Sequence, residues 1–454
     1  MKKTLLLLCF VVFSAHLFAQ WNEQAVGFAT ANRGVNQIVI TSPTTAWVSA
    51  FNPTSTSANV RDFSRTTDGG ATWTAGTVSA PSNNNWSCLT AIDENTAWGL
   101  FYKNTSTYGG GIYKTTDGGT TWSQQGAGQV FITSGVSFPD VIHFWDANNG
   151  VAIGDPVNNE FEIYTTADGG TTWVAVPGAN IPDPTSGEFG LTRSFAARGN
   201  TLWFGTIAGR IFKTTDMGTT WTVLSSGSTN AIGSFDFAND NDGWIELDDP
   251  TNFAFVALYR TNDGGATWTD ITPAGTFFSS YNSVGISYVP NTASTLVTSG
   301  LDNASQTFGS AYSLDGGDSW VTIDSAVNHF AVKFYNNDTG WSGGVNVDAS
   351  TGGIYEYAGS FEATGITEAN SGYQLKLYPN PSSGLFYISF NAENNLPIDV
   401  RIVDAVGKVV FQKTYKNKNE LWLRSIDMTD FGKGVYFLKV ENGSDKIFRK
   451  LVVQ

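Results

Sequence analysis

Four charged residues near the middle of the chain have side chains that could act together on a ligand. They are Asp155, Glu160, Glu188 and Arg193. Two carboxyl groups can serve as acid and base in the hydrolysis of a glycosidic bond, so Asp155 and Glu188 form a candidate catalytic pair. The four residues could instead bind a polar ligand without catalysis, or the carboxylates could simply cap loop turns in water. These alternatives stay open, and we assign no catalytic residue.

Residue types that commonly bind metals are sparse. His143 and His329 do not stand at a metal-ligand spacing or in a recognisable catalytic arrangement, and we interpret His143 as a solvated residue. The acidic run at residues 236–243 has oxygen ligands at a spacing that suits calcium. Residues 146–150 and 336–340 repeat the same polar pattern, which favours a turn. We therefore predict no metal and no cofactor, with calcium at residues 236–243 as the alternative.

A motif of the form Thr/Ser-x-Asp-x-Gly-x-x-Trp occurs six times. Its aspartates are Asp68, Asp117, Asp168, Asp216, Asp263 and Asp315, and its tryptophans are Trp73, Trp122, Trp173, Trp221, Trp268 and Trp320. Successive aspartates are 47 to 52 residues apart, which is the period of a four-stranded propeller blade. In a hairpin turn the carboxylate accepts backbone N–H groups and the glycine adopts positive φ, so we predict a structural role for the motif.

Seven repeat units can be counted, and the last of them lacks the motif. This unit ends at residues 353–359, whereas the segment at residues 20–24 resembles the strand that follows a complete motif. We predict that this N-terminal segment pairs beside Tyr355 and closes the ring. The fold class is therefore all-β, with a seven-bladed β-propeller at residues 20–359.

The repeated motif resembles the Asp-box, or BNR, repeat of sialidases, sortilin-type receptors and photosystem II assembly factor propellers. The resemblance implies the propeller fold but no single activity, since unrelated functions share this scaffold. Sialidases have an Arg-Ile-Pro segment before the first repeat and an arginine triad that binds a carboxylate. The segment is absent here, and we do not assign the triad. Asp-box xyloglucanases resemble two tandem propellers, whereas this chain supplies one.

In a propeller of this kind, one face carries the motif turns. The opposite face, which we call the variable face, carries the loops between second and third strands and the connections between blades. Residues 154–160 and 182–193 are its longest departures from the repeat, and they contain the four charged residues named first. We expect binding on this face.

The C-terminal segment has a different pattern. Period-two alternation predicts a small Ig-like β-sandwich at residues 373–454, after a polar linker at residues 360–372. The Tyr-Pro-Asn-Pro sequence at residues 378–381, the Asp-x-x-Gly-Lys turn at 404–408 and the ending at 450–454 are similar to the type A sorting domain of the type IX secretion system of Bacteroidetes. This resemblance implies the type IX machinery as a partner, with export and then release or surface attachment.

The start of the chain and its charge indicate where the protein acts. Residues 1–19 combine Lys2 and Lys3, an apolar run and Ala19, as in a signal peptide, and no later stretch is apolar enough for a membrane helix. Residues 20–365 carry 31 acidic against 11 basic residues, which argues against nucleic acid as a partner. We expect a secreted or cell-surface, non-catalytic propeller that binds a protein or carbohydrate; the alternative is a glycoside hydrolase acting on a polysaccharide.

Overall fold

The computed structural model describes residues 20–55, 58–105, 109–133, 135–273, 282–302, 307–325, 327–361, 375–380, 382–391, 396–404, 408–416, 421–442 and 445–454. The predicted signal peptide, most of the predicted linker, Pro381 and residues 405–407 lie outside these ranges. The described chain divides into two compact units, one of residues 20–290 and 294–361 and one of residues 291–293 and 375–454. Within these ranges, no helix has the length and apolarity needed to cross a membrane.

Aromatic, β-branched and glycine-rich segments form short strands throughout the first unit. These strands are β1 (Trp21–Ala25), β2 (Gly34–Ser42), β3 (Thr45–Phe51), β4 (Asp62–Thr66), β5 (Thr74–Thr77), β6 (Asn84–Ala91), β7 (Ala97–Lys103), β8 (Gly110–Thr115), β9 (Ser123–Gln125), β10 (Pro139–Phe144), β11 (Gly150–Val157), β12 (Glu160–Thr166), β13 (Val174–Ala175), β14 (Gly190–Arg198), β15 (Thr201–Thr206), β16 (Arg210–Thr214), β17 (Thr222–Ser225), β18 (Ala231–Phe237), β19 (Gly243–Asp248), β20 (Phe255–Thr261), β21 (Thr269–Asp270), β22 (Asn282–Tyr288), β23 (Leu296–Asp302), β24 (Thr307–Ser313), β25 (Val321–Asp324), β26 (Ala331–Phe334), β27 (Gly340–Asp348) and β28 (Thr351–Tyr357). A 3-10 helix at Gly178–Asn180 follows β13.

The strands of this unit pair into propeller-like, four-stranded groups. Five sheets each contain four consecutive antiparallel strands, namely β6–β9, β10–β13, β14–β17, β18–β21 and β22–β25. The remaining strands form an eight-stranded sheet in the order β1-β28-β27-β2-β3-β4-β5, with β26 paired to β27. Gly34 opposite Val345 joins β2 to β27. This sheet therefore contains two groups of four, β2–β5 and β26–β28 with β1.

The first strand of each group lies against the first strand of the next. The contacts run from β2 to β6, β10, β14, β18, β22 and β26, and from β26 back to β2. Residues of all these strands line one central channel with a volume of about 380 Å³.

The N-terminal strand completes the group that lacks the motif. β1 pairs antiparallel with β28, with Trp21 opposite Tyr357 and Glu23 opposite Tyr355. The predicted pairing beside Tyr355 is therefore present. It covers a strand edge that would otherwise expose unpaired backbone groups.

Large aromatic side chains fill the space between neighbouring sheets. Among the fully buried side chains are Trp47, Trp98, Trp203 and Trp341, each on the second strand of its group. Trp98 stacks on Phe144 of the next sheet with ring centroids 3.7 Å apart. Its Nε1 donates a hydrogen bond of 3.0 Å to the carbonyl of Gly169, which lies in that sheet's motif turn. The indole thus supplies both apolar contact and a directional bond between sheets.

In the described part of the second unit, seven strands form two antiparallel sheets. They are β29 (Lys376–Tyr378), β30 (Leu385–Asn391), β31 (Ile398–Asp404), β32 (Val409–Tyr415), β33 (Leu421–Asp427), β34 (Gly434–Asn442) and β35 (Asp445–Val453). One sheet has the order β29-β30-β33 and the other β32-β31-β34-β35. Alternate residues of the strands, including Phe386, Ile402 and Leu438, form one buried core.

Candidate functional site

The six motif turns share one hydrogen-bond pattern. In the third copy, Thr166 Oγ1 donates to Asp168 Oδ1 (2.9 Å) and accepts from the N–H of Gly170 (3.0 Å). Thr172 donates its N–H to Asp168 Oδ1 (2.9 Å) and its hydroxyl to Oδ2 (2.6 Å). These bonds, led by that from the Thr172 hydroxyl, lower the pKa of Asp168 to about 2. Each motif carboxylate is thus engaged within its own turn.

The positions of the motif turns also identify the two ends of each sheet. The N–H of Gly169 donates to the carbonyl of Asn148 in the turn between the first two strands of the same group (2.9 Å). The corresponding bond is present in all six motif-bearing groups. Since turns alternate between the two ends of an up-and-down sheet, the remaining connections lie at the opposite end, on the variable face.

Asp155 lies on the variable face and pairs with another carboxyl group. Its Oδ1 accepts the N–H of Gly190 (2.9 Å), and its carboxyl group is within hydrogen-bonding reach of Asp140. Burial raises the pKa of Asp155 to about 6. Burial, followed by the charge of Asp155, raises the pKa of Asp140 well above its usual range. The two groups therefore hold a proton between them when no ligand is bound.

The two carboxyl groups line an open pocket of about 470 Å³. Its other walls are Val136, Phe138, Phe189, Gly190, Leu191 and Thr192. Thr192 also lines the central channel, so the pocket adjoins the channel. We call this cavity the acid-pair pocket. Apolar walls around a few polar groups are typical of ligand sites.

Glu188, the predicted catalytic partner of Asp155, is engaged elsewhere. Its buried carboxylate forms an ion pair with Arg210 (2.5 Å) and accepts the hydroxyl of Thr206 (2.6 Å). Thr185 of the same loop donates its N–H and its hydroxyl to Oε2. Glu188 thus anchors its own loop and makes no hydrogen bond to Asp155 in the described structure, and their catalytic pairing stays a prediction.

The other two predicted ligand-binding residues lie in different surroundings. Burial, and then the charge of Asp183, raises the pKa of Glu160. Arg193 reaches across the channel, where Nη1 donates to the carbonyl of Asn36 (2.6 Å). Its φ of 64° lies in the left-handed region, at an irregular part of β14. Arg193 thus belongs to the channel wall, and neither residue lines the acid-pair pocket.

The run considered for calcium divides between the channel and a turn. The Asp236 carboxylate faces the channel and binds Arg198 (2.7 Å) and Lys333 (2.7 Å). Asn239 instead closes the turn, where its Oδ1 accepts the N–H of Asp242 (2.9 Å). Among the residues that the structure describes, no three His, Cys, Asp or Glu side chains are grouped to hold a metal. The run is therefore not one ligand set.

Sequence reasoning missed two residues, Asp140 and His143. Asp140 gave no signal, because its importance depends on a neighbouring strand. His143 was interpreted as solvated but lines the channel, where burial, followed by the charge of Arg198, lowers its pKa to about 4. Strand alternation along β10 is the sequence feature that could have placed His143, whereas the pairing shift at Asp140 leaves that residue without such a signal.

A known protein family matches the C-terminal part of the chain. A protein-family model, the secretion system C-terminal sorting domain, matches residues 376–454. Residues 376–454 are thus a type IX secretion sorting domain, which indicates export to the cell surface or the extracellular space. The propeller-like arrangement of the preceding sheets is a fold that the chain shares with solved β-propellers.

Individual relatives share parts of the chain. A xyloglucanase of Hypocrea jecorina (strain QM6a) is 28% identical over 241 residues, which cover 51% of this chain and 27% of the relative. This chain thus matches only about a quarter of that protein's length. A solved structure of YCF48 bound to D1 peptide has a TM-score of 0.51 at 16% identity, covering 76% of this chain and 98% of that one.

A GH74 xyloglucanase from Xanthomonas campestris also has a TM-score of 0.51, at 13% identity, covering 83% of this chain and 59% of that one. At such identities the two structural likenesses concern the fold alone.

Proposed function

We propose that the protein is a non-catalytic propeller that binds a protein or carbohydrate through its variable face, outside the cell. The acid-pair pocket carries this proposal. It is an open cavity with one buried and one partly buried carboxyl group and apolar walls, whereas the carboxylates of Glu188 and of the motif turns are engaged in structural bonds.

We further propose seven blades, closed by the N-terminal strand, at residues 20–359. The cyclic succession of contacts among first strands supports this number. The proposed organisation also includes a signal peptide at residues 1–19, a linker at 360–372 and an Ig-like sorting domain at 373–454. The two small sheets around one core support the last assignment.

A binding panel tests the proposed function. The full chain is applied to immobilised polysaccharides and to a peptide array, in parallel with Phe189→Ala. Phe189 is 38% exposed at the pocket, so its loss should weaken binding by about tenfold or more. Val174→Ala is the matched control, because Val174 is 67% exposed on β13 and does not line the pocket. Equal binding by all three proteins would contradict the use of this face.

A glycoside hydrolase is the second candidate, favoured by the similarity to the Hypocrea jecorina xyloglucanase. The catalytic pairing of Asp155 with Glu188 has less support, because the Glu188 carboxylate forms an ion pair with Arg210. Reducing-sugar release from xyloglucan tests this alternative. Turnover that Asp155→Asn abolishes, with the protein still folded, would favour the enzyme over the binding protein.

A further inference from the structure

The acid-pair pocket lacks the positive charge that lies beside two other buried carboxylates, those of Asp236 and Glu188. Asp236 contacts Arg198 and Lys333, and Glu188 contacts Arg210. No ion pair in the described part of the chain includes Asp140 or Asp155. Burying carboxyl groups without a cation is costly unless a proton neutralises them.

The position of Asp140 leaves one oxygen without a donor. Asp140 is 2% exposed, and its Oδ2 is buried without a hydrogen-bond partner in the described structure. This oxygen faces Gly190, where a Cβ would lie 2.5 Å from it. Both residues line the pocket. A ligand that enters can thus find an acceptor that the protein itself does not satisfy.

Negative charge continues beyond the pair. Among the described residues, Glu162 on β12 is the other charged group that raises the pKa of Asp155, and no cation lowers the pKa of either member of the pair. Burial also raises the pKa of Glu162. Three carboxyl groups on adjacent strands therefore favour a positively charged occupant over a neutral one.

The apolar walls of the pocket suit a ligand side chain with an apolar chain and a positively charged end. Phe138 packs against Tyr102 with ring centroids 4.8 Å apart, which fixes its position. Phe189 and Val136 are 38% and 48% exposed at the rim. A lysine or arginine side chain has such a chain and such an end. A neutral sugar would bring hydroxyl groups but no charge.

We propose that the acid-pair pocket binds a lysine or arginine side chain of a polypeptide partner, with its cationic group between Asp140 and Asp155. This inference rests on the proposed binding function and names its ligand class. The bound cation takes the place of the proton that the pair holds when empty. That proton leaves to solvent, so binding is accompanied by net proton release and strengthens as pH rises.

Calorimetry with the full chain tests the proposal. The probe is a blocked glycine–lysine peptide, compared with the same peptide acetylated on lysine, near pH 6 in two buffers of different ionisation enthalpy. We expect the lysine peptide to bind with proton release and the acetylated peptide to bind about tenfold to a hundredfold more weakly.

Three variants make the test specific. Asp155→Asn should weaken binding by at least about tenfold while its side-chain oxygen can still accept the N–H of Gly190. Asp140→Asn imitates the protonated acid, and it should remove most of the proton release. Asp183→Asn removes an exposed charge from the same loop region outside the pocket, and it should bind like the parent chain.

The outcomes separate this inference from the proposed function. Equal binding of both peptides, or equal binding by Asp155→Asn and the parent, overturns the cation site. Binding of a neutral glycan that requires Phe189, without binding of the lysine peptide, also overturns it but leaves the proposed function standing. If neither ligand class binds, both proposals fail.

Discussion

The indole Nε1 of Trp21 donates a hydrogen bond of 2.8 Å to Oγ of Ser310, 289 positions further along the chain. Ser310 in turn donates to Asp324, whose Oδ2 lies 2.9 Å from Nε2 of His329. The other imidazole nitrogen is bonded to Ser342. This buried network connects the N-terminal strand β1 to the β22–β25 group and to β27 of its own group.

Replacing Trp21 should destabilise the protein. Trp21 is 7% exposed and packs edge-on against Tyr357, so Trp21→Ala removes both the hydrogen bond and a large buried surface. We expect a loss of about 3–5 kcal/mol in the free energy of unfolding, measured by urea denaturation. Asn22→Ala on the same strand is the control, since Asn22 is exposed. Similar midpoints for both variants would show that the indole does not anchor the strand.

The motif turns should contribute to acid sensitivity. The pKa of Asp168 is lowered to about 2, chiefly by the hydroxyl of Thr172. Its contribution to stability is therefore present above the ordinary aspartate pKa and is lost as pH falls from about 4 towards 2. Asp168→Ala should lower the melting temperature at neutral pH and flatten its decline in acid. An unchanged acid profile would count against this assignment.

The fourth motif turn offers a stabilising substitution. Met217 has a φ of 57° where the third copy has Gly169 at 75°. A side chain in this conformation is strained by about 1–2 kcal/mol, and the greater chain entropy of glycine offsets part of that gain. Met217→Gly should therefore raise the free energy of unfolding by up to about 1 kcal/mol. Gly169→Met is the reciprocal control and should lower it.

The loop ion pair should matter for folding rather than for chemistry. Glu188→Gln leaves the Arg210 guanidinium without its charged partner, which we expect to cost about 3–5 kcal/mol. Thermal unfolding measures this loss. Any glycan turnover, normalised to the folded fraction, should be unchanged. A selective loss of turnover in fully folded Glu188→Gln would revive the catalytic interpretation.

The sorting domain should be required for export. Truncation before residue 376 removes the segment that matches the sorting-domain model. The shortened protein should accumulate inside the outer membrane, as measured by immunoblotting of periplasmic, surface and medium fractions. An equal extracellular amount with and without this segment would contradict that role.

Local patterns were predictable because local bonds determine them. The turn around Asp168 closes through residues within four positions, so its sequence specifies its bonds. The pairing of the first strand beside Tyr355 followed from an incomplete repeat and the need to cover a strand edge.

The acid pair could not be predicted in the same way. Pairing between β10 and β11 shifts at Asp140, and pairing between β11 and β12 shifts at Asp155. At such bulges, alternation no longer tells which way a side chain points. Glu188 and Arg210 lie 22 positions apart and meet only after a loop folds back, which charge alone does not indicate.

The strand that starts at Trp21 finds its neighbour only when Tyr357 has been synthesised. During translation, the earliest structured residues must wait for almost the whole propeller to emerge from the ribosome. Any product interrupted before that point keeps an unsatisfied strand edge at each end, which quality-control proteases and chaperones can recognise.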